Sequence, residues 1–243
     1  SRQQTVPRQL ARLIPEKVMT RMRSTQENNM YQTIFFDLDG TLTDSGPGIT
    51  HSVAYALNKW NIKVEDYSVL NAFVGPPLAE SFAKYYNFTP EQCQKSIEYY
   101  REYYVEKGMF ENSVYPGIRE LAAYLKDAGR KLVVATSKPE EFAVQIMEHF
   151  GLAQYFDRIA GASMDENRVE KADVLRYAIE AGNYDLSGAV VVGDREKDIR
   201  GARENGLPCI GVLYGYGSRE ELTEAGAARI AATVEELKKC LDK

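Results

Sequence analysis

The sequence predicts an α/β protein, a doubly wound parallel sheet with an inserted all-helical cap domain. Two observations support this prediction. After residue 114, short apolar segments alternate with helical segments, as in a parallel sheet that is covered on both faces. Between the first apolar segment and this alternation, residues 46–113 have only helical periodicity. That stretch is too long for a loop inside a compact domain, so it indicates an insertion.

The chain is therefore expected to have three parts. Residues 1–29 are rich in arginine and poor in acidic residues, and Pro15 interrupts their helical pattern. They are typical of a targeting peptide or, as we prefer, of an extension outside the fold. Residues 30–45 and 114–243 form the predicted α/β core, and residues 46–113 form the predicted helical cap.

The composition is that of a soluble globular protein, with 44% hydrophobic and 27% charged residues in a chain of 243. No apolar run has the length of a membrane span, and no segment has the layout of a secretory signal. Three well-separated cysteines, Cys93, Cys209 and Cys240, are consistent with reduced thiols. We therefore expect a cytoplasmic protein without membrane contact.

The net charge of −5 is unevenly distributed. Residues 1–29 have six basic and two acidic side chains, a balance of +4, so the remainder carries −9. An acidic body of this kind argues against a nucleic-acid polymer as the partner. An anionic substrate would need a metal ion, lysines or backbone amides close to its binding site.

The first predicted strand ends in two carboxylates. Residues 34–44 read IFFDLDGTLTD, so Asp37 and Asp39 follow the apolar run directly. Alternate residues of a strand point to the same side, and two unpaired carboxylates there repel each other and are costly to desolvate. A hard cation such as Mg²⁺ would relieve that cost. Taken alone, the stretch is also compatible with an Asx-type turn that closes the strand.

Within the predicted cap, apolar residues recur at helical spacing from Ile49 onward. A further helix has a clear start signal, with Thr89 as the N-cap and Pro90 at the first helical position, and Gly108 can end it. The cap is therefore predicted to contain helices alone.

The second half of the core has a regular order of strands and helices. The predicted strands are Lys131–Thr136, Ile159–Ala160, Ala189–Val192 and Pro208–Leu213, and the predicted helices are Gly117–Ala128, Glu140–Phe150, Glu170–Ala181 and Lys197–Asn205. Capping-box patterns from Ser218 and from Thr233 predict the last two helices. Sheets of this type bind ligands beyond the carboxyl ends of their strands, at the point where the strand order reverses.

A second acidic pair follows the strand that precedes Gly193. Residues 193–198 read GDREKD, and the spacing of Asp194 and Asp198 brings both carboxylates to one side of a helix start. Taken alone, the pair is equally compatible with acidic residues that the helix dipole favours. Together with Asp37 and Asp39 it would place four carboxylates in one site, for which bound Mg²⁺ is the natural resolution.

Candidate phosphate ligands follow another strand. Thr136 and Ser137 come directly after KLVVA, where a hydroxyl and backbone amides can bind a phosphoryl oxygen; a helix N-cap is the alternative for Thr136. Lys171 opens a predicted helix that faces the same edge and can balance negative charge there. For Lys171 the alternative is a solvated surface lysine. Lys138 has the same two possible roles, and the support for a role in the site is weaker than for Lys171.

These motifs, in this order, resemble the haloacid dehalogenase (HAD) superfamily. The resemblance covers about residues 31–240 and rests on DLDGTLTD at 37–44, Thr136, Lys171 and GDREKD at 193–198. The helical insertion resembles the type-1 cap of that family. The segment VGPPL at 74–78 and TSKP at 136–139 resemble the phosphoglycolate phosphatase branch. The segment GVLYGYG at 211–217 resembles its 5′-nucleotidase-like members.

The resemblance implies a role for each matched residue. Asp37 would be the nucleophile that forms an aspartyl-phosphate, and Asp39 would protonate the leaving group and later activate water. Mg²⁺ would be bound by Asp37, by the backbone carbonyl of Asp39 and by Asp194, with Asp198 acting directly or through water. Thr136, Ser137 and Lys171 would bind the phosphoryl oxygens.

Two features refine this interpretation. Many relatives have a Lys-Pro pair at the lysine motif, whereas this chain has Lys171-Ala172; the distance of Lys171 from Gly193 nevertheless fits the family. A second acid at Asp39 serves an alkoxide leaving group, whereas dehalogenation of a haloacid needs no proton donor. The sequence therefore predicts a Mg²⁺-dependent phosphatase for a small phosphorylated metabolite.

The sequence leaves the substrate and some alternatives open. Six tyrosines of the predicted cap could stack a nucleobase or simply pack the helices: Tyr85, Tyr86, Tyr99, Tyr100, Tyr103 and Tyr104. His51 could contact substrate or be an ordinary surface or core residue. A phosphosugar mutase and a catalytically slow metal- or phosphate-binding regulatory protein are the alternative functions. A monomer or homodimer is expected.

Overall fold

The computed structural model describes residues 30–165 and 167–242. The predicted extension at residues 1–29 lies outside the described residues. Within the described ranges, no helix combines the length and apolarity needed to cross a membrane.

A six-stranded parallel sheet forms the centre of the protein, in the order β5-β4-β1-β6-β7-β8. Its strands are β1 Thr33–Phe36, β4 Lys131–Pro139, β5 Arg158–Ala162, β6 Ala189–Gly193, β7 Cys209–Val212 and β8 Arg229–Ala231. After β1 the chain builds one side of the sheet with β4 and β5 and then the other side with β6, β7 and β8. The strand order therefore reverses beside β1, and this is where such sheets bind ligands.

Both faces of the sheet are covered, because alternate residues of β1 enter different hydrophobic clusters. Ile34 and Phe36 pack in one cluster, whereas Phe35 packs in the other. All three side chains are buried. A strand buried on both faces must be apolar at every position, which explains the continuous apolar runs in the sequence. The predicted doubly wound α/β class is confirmed.

Helices connect the strands along the chain. They are α1 Gly46–Lys59, α2 Leu78–Tyr86, α3 Pro90–Glu106, α4 Ile118–Asp127, α5 Glu140–His149, α6 Lys171–Gly182, α7 Glu196–Glu204, α8 Arg219–Ala225 and α9 Val234–Leu241. Short 3₁₀ helices lie at Tyr67–Phe73, Gly108–Phe110 and Ala153–Tyr155. Most predicted bounds agree with these within a residue or two.

Some elements differ from the prediction. Strand β4 continues through Pro139, three residues beyond its predicted end at Thr136. Strand β8 was not predicted, since three residues are too few to show a pattern. The hydroxyls of Ser218 and Thr233 cap their helices as expected, but the carboxylate of Glu221 accepts from Arg195 and Glu196 instead of completing a capping box.

The segment between β2 (Thr43–Asp44) and β3 (Ser113–Val114) contains α1, α2, α3 and two of the 3₁₀ helices. We call residues 46–110 the helical insert. The two short strands pair antiparallel, Thr43 with Val114 and Asp44 with Ser113, which places the outgoing and returning chain side by side. This ribbon was not predicted, because two-residue strands leave no periodic signal.

Helix α3 is stabilised by a complete capping box. The hydroxyl of exposed Thr89 accepts from the backbone N–H of Gln92, and the side chain of Gln92 accepts from the backbone N–H of Thr89. We expect Thr89→Ala to lower the free energy of unfolding by about 1 kcal/mol in chemical denaturation. Thr89→Ser, which keeps the hydroxyl, is the control. Equal stability of the Ala and Ser variants would contradict this.

Candidate active site

The candidate site lies at the carboxyl ends of β1, β4 and β6, beside the reversal of strand order. Asp37 directly follows β1, and its backbone N–H donates to Val192 of β6. Asp194 follows β6, and Asp198 lies in the first turn of α7. Because parallel strands present their carboxyl ends at one edge, residues far apart in sequence are brought together here.

Lys171, the first residue of α6, links two of these carboxylates. Its ammonium lies 2.8 Å from Oδ1 of Asp37 and 2.8 Å from Oδ1 of Asp198. It also donates to the carbonyl of Ala135 at 2.7 Å. Only 4% of the lysine is exposed. This lysine lies at the acidic edge, where its ammonium donates to Asp37 and to the carbonyl of Ala135 and forms an ion pair with Asp198.

Asp194 is fixed by the loops around it. Its Oδ1 accepts from the hydroxyl of Thr41 at 3.2 Å, and its Oδ2 accepts from the backbone N–H of Tyr216 at 2.7 Å. Gly40 has a φ of +80°, and a Cβ there would lie 2.2 Å from Oδ2 of Asp194. Glycine is therefore required at position 40 for both its backbone conformation and the close approach of the carboxylate.

Asp37, Asp194 and Asp198 form a buried acidic cluster. Each offers an oxygen, and these oxygens lie within 4.8 Å of one another. Three carboxylates face one ammonium in a site with little access to water, so uncompensated negative charge remains. The donors are all oxygen, as hard divalent cations prefer. These residues therefore fit a divalent metal ion.

The electrostatics of the cluster lead to the same conclusion. Burial, and then the charge of Asp198, raises the pKa of Asp37 to about 7. Burial raises the pKa of Asp194 well above its ordinary value, with Asp198 and Asp37 acting in the same direction. Burial alone would lower the pKa of Lys171, but the carboxylates of Asp198 and Asp37 outweigh it and hold that pKa above its usual range.

Asp39 has a different partner. Its Oδ2 lies 3.2 Å from the ammonium of Lys138, which also donates to the hydroxyl oxygen of Tyr104 at 2.6 Å. All three side chains are buried. Asp39 was expected to face Asp37 as one of four clustered carboxylates, whereas the acidic cluster contains three and the Asp39 side chain is paired separately.

The two hydroxyl residues lie near the end of β4. The hydroxyl of Thr136 accepts from the backbone N–H of Lys138 at 3.1 Å, and the residue is buried. Thr136 is not a helix N-cap, the alternative considered above, because α5 begins after Pro139. Ser137 lines a cavity next to Asp39.

That cavity has a volume of about 200 Å³ and lies between the helical insert and the strand ends. Asp39, Ser137 and Lys138 line it from the sheet side, and Tyr100 and Tyr104 of α3 line it from the insert. Apolar side chains form most of the remaining wall: Ile49, Phe73, Pro76, Pro77, Leu78, Ala79, Ile97, Pro139, Phe142, Ala162 and Val169. A largely apolar pocket with a few polar groups is typical of a small-molecule site.

Other candidates from the sequence lie elsewhere. Nδ1 of His51 contacts Oε2 of Glu111 at 2.8 Å, at the base of the insert. Tyr85 is 45% exposed and packs against Phe73, and Tyr103 lies near His51. These tyrosines and the histidine do not line the cavity.

Sequence reasoning gave too little weight to two contributors to the site. Lys138 was considered only weakly, because its contact with Asp39 depends on how β4 ends. Tyr216 was noted as part of a motif, yet it has two contacts: its backbone N–H holds Asp194 and its hydroxyl donates to Oδ1 of Asp44. The sequence signal that could have identified Tyr216 is a second tyrosine, two residues after the first, in the glycine-rich segment at 211–217.

Comparison with known proteins agrees with this fold. A family model described as haloacid dehalogenase-like hydrolase matches residues 34–212. This chain therefore belongs to the haloacid dehalogenase-like hydrolases, and the resemblance inferred from its motifs is confirmed.

Two of the similar proteins are named for the removal of phosphate. A 5′-nucleotidase of Pseudomonas aeruginosa is 39% identical over 212 residues, which are 87% of this chain and 96% of that protein. The crystal structure of a predicted phosphatase from Clostridium acetobutylicum is 56% identical, with a TM-score of 0.86, over 88% of this chain and 99% of that one. The chain is a phosphatase.

A relative with the same fold is named as a kinase and not as a phosphatase. The Tyrosine-protein kinase PtkA of Mycobacterium tuberculosis is 38% identical over 221 residues, which are 90% of this chain and 75% of that protein.

Proposed function

We propose that this phosphatase is Mg²⁺-dependent and hydrolyses small phosphate monoesters through an aspartyl-phosphate on Asp37. The observation that carries this proposal is the buried cluster of Asp37, Asp194 and Asp198 around Lys171, with Asp39 beside it on the cavity wall. Phosphoryl transfer depends mainly on positioning and on neutralising charge, and these residues serve both needs.

In the first half of the reaction, an oxygen of the Asp37 carboxylate attacks phosphorus and the bond from phosphorus to the ester oxygen breaks. Asp39, in its protonated form, gives its proton to the leaving oxygen. In the second half, Asp39 takes a proton from water as that water attacks the phosphoryl group, which releases phosphate and restores Asp37. Both carboxyl groups return to their starting protonation states.

Several groups bind the charged phosphoryl oxygens. Thr136 and Ser137 offer hydroxyls, and Lys171 offers its ammonium. Lys171 already donates to Asp37 and Ala135 and pairs with Asp198, so it must exchange one of these partners to donate to a phosphoryl oxygen. Asp37, Asp194, Asp198 and the backbone carbonyl of Asp39 would hold Mg²⁺, which would supply positive charge that favours the anionic transition state.

The helical insert acts as the cap in this proposal. Residues 46–113 form the cap, and residues 30–45 and 114–243 form the catalytic core. Three contacts support a closed arrangement: Nη1 of Arg195 donates to the carbonyl of Val74 at 2.7 Å, Lys197 pairs with Glu80 at 2.7 Å, and Lys138 donates to Tyr104. A closed cap keeps water away from the reaction, and its side chains select the substrate.

Phosphoglycolate and a nucleoside monophosphate are the candidate substrates. The first is suggested by the motifs at 74–78 and 136–139, and the second by the similarity to a 5′-nucleotidase. The three cysteines are free thiols, in keeping with a cytoplasmic location, and we expect a monomer or homodimer.

A second candidate function is a phosphosugar mutase, which returns the phosphoryl group from Asp37 to a sugar. The sequence offered no obvious basic group on the cap for a second phosphate, but Arg101 of α3 lines the cavity. Product analysis with a sugar phosphate separates the two functions, since a mutase yields an isomer and a phosphatase yields free sugar. If the protein binds Mg²⁺ and a phosphate analogue tightly but turns over no substrate, its function is instead that of a catalytically slow, metal- or phosphate-binding regulatory protein.

The test of the main proposal is release of inorganic phosphate across a panel of monoesters, including both candidates, with Mg²⁺ and with EDTA. We expect turnover on some members with Mg²⁺ and its loss with EDTA. Activity that EDTA leaves unchanged would contradict the metal dependence. The same panel identifies the preferred leaving group.

A further inference from the structure

The two oxygens of the Asp39 carboxylate have different surroundings. Oδ2 lies 3.2 Å from the ammonium of Lys138, with side-chain exposures of 5% for the lysine and 7% for the aspartate. Oδ1 is buried and has no hydrogen-bond partner among the described residues. The carboxylate is thus held by one oxygen only, in a residue that lines the cavity.

Lys138 is itself fixed from several directions. Its ammonium donates to the hydroxyl oxygen of Tyr104 at 2.6 Å and lies 4.6 Å from the centre of the same ring. Its backbone N–H donates to Thr136. Burial, and then the charge of Asp39, raises the pKa of Tyr104 well above its ordinary value, so the phenol stays protonated. A lysine with these contacts has little rotational freedom.

The two lysines of the site form ion pairs with different carboxylates. Lys171 pairs with Asp37 and Asp198, whereas Lys138 pairs with Asp39. Tyr104 belongs to α3 of the helical insert, while Lys138 and Asp39 belong to the sheet edge. The orientation of Asp39 is therefore tied to the packing of the insert on the core.

We propose that Lys138, held by Tyr104, is a positioning residue that keeps Oδ1 of Asp39 directed at the leaving-group oxygen for proton transfer. This inference rests on the proposed function, in which Asp39 protonates the leaving group. A lysine that only stabilises the fold would affect all substrates alike. A lysine that aligns the proton donor matters most when the leaving oxygen is strongly basic.

The test is a comparison of phenyl phosphate with p-nitrophenyl phosphate, whose leaving oxygen is less basic and needs a proton less. Steady-state kcat and KM are measured with Mg²⁺ for the wild type, Lys138→Met, Lys138→Arg and Tyr104→Phe. We expect Lys138→Met to lose about 10- to 100-fold more kcat on phenyl phosphate than on p-nitrophenyl phosphate. Lys138→Arg restores part of the difference, and Tyr104→Phe gives a smaller change in the same direction.

Two controls make the comparison specific. Asp39→Asn sets the pattern expected when the proton donor itself is lost. Lys131→Met makes the same exchange at the exposed start of β4, where Lys131 pairs with Asp157 at 3.4 Å, and should not separate the two substrates. Turnover of p-nitrophenyl phosphate and the Tm show whether each variant is folded. If Lys138→Met does not fold, Lys138→Arg and Tyr104→Phe carry the comparison.

Equal losses on both substrates in the Lys138 and Tyr104 variants, or an effect confined to KM, would overturn the inference. Failure of the underlying function has a different signature. In that case the wild type hydrolyses neither aryl phosphate, or Asp37→Asn is as active as the wild type.

Discussion

Asp37→Asn is expected to lower kcat by about 10⁴-fold or more, because an amide can neither attack phosphorus nor form the aspartyl-phosphate. The change is isosteric, and Lys171 keeps its contact with Asp198. The loss is measured as phosphate release at saturating substrate with Mg²⁺. Asp127→Asn, at an exposed position at the end of α4, is the matched control and should retain full activity.

The covalent intermediate provides an independent check on the same residue. Acid-quenched wild-type enzyme should carry one phosphoryl group on the peptide that contains Asp37, as detected by mass spectrometry, and the Asn variant should carry none. Substantial turnover in Asp37→Asn, or a phosphoryl group on a different residue, would assign the nucleophile elsewhere.

Removal of Mg²⁺ is expected to abolish turnover and to lower the Tm. The difference between the Tm with Mg²⁺ and the Tm without it should grow as the pH rises. Burial raises the pKa of Asp37 from 3.8 to about 7, so the folded chain binds this proton more tightly than the unfolded chain does. In the metal-free protein, the stability that Asp37 contributes is complete below about pH 3.8 and is lost as the pH rises through about 7. The raised pKa of Asp194 acts in the same direction.

The cation reverses this loss, because it binds only the deprotonated carboxylates. The Tm with Mg²⁺ minus the Tm with EDTA should therefore be small near about pH 5.5 and larger near about pH 8. Asp194→Asn should remove most of the Mg²⁺-dependent increase, while Asp127→Asn should keep it. A Tm difference that shrinks as the pH rises would contradict the assigned cluster.

Much of the fold could be predicted because its signals are local. The central strands are buried on both faces, so a run such as IFF before Asp37 identifies a strand without further information. The start of α3 was visible because its N-cap, Thr89, and its first helical residue, Pro90, are adjacent in the sequence. The strands β2, β3 and β8 were missed, since two or three residues are extended only because a neighbouring strand pairs with them.

The acidic edge was likewise visible from the sequence. Asp37, Asp194 and Lys171 directly follow predicted strands or open a predicted helix, and a parallel sheet must bring such positions to one edge. Side-chain direction was not visible. Asp37 and Asp39 were expected to face each other, but the chain turns after β1 and the carboxylate of Asp39 pairs with Lys138 instead.

The sequence by itself therefore determined the α/β class, the family and the residues that meet at the edge of the sheet, because apolar runs and strand ends are local features. Only the tertiary structure decided which cation pairs with which acid. Lys138 meets Asp39 because β4 continues to Pro139, and it is fixed there by Tyr104 from the helical insert. Contacts between segments distant in sequence depend on how those segments pack, which no local pattern records.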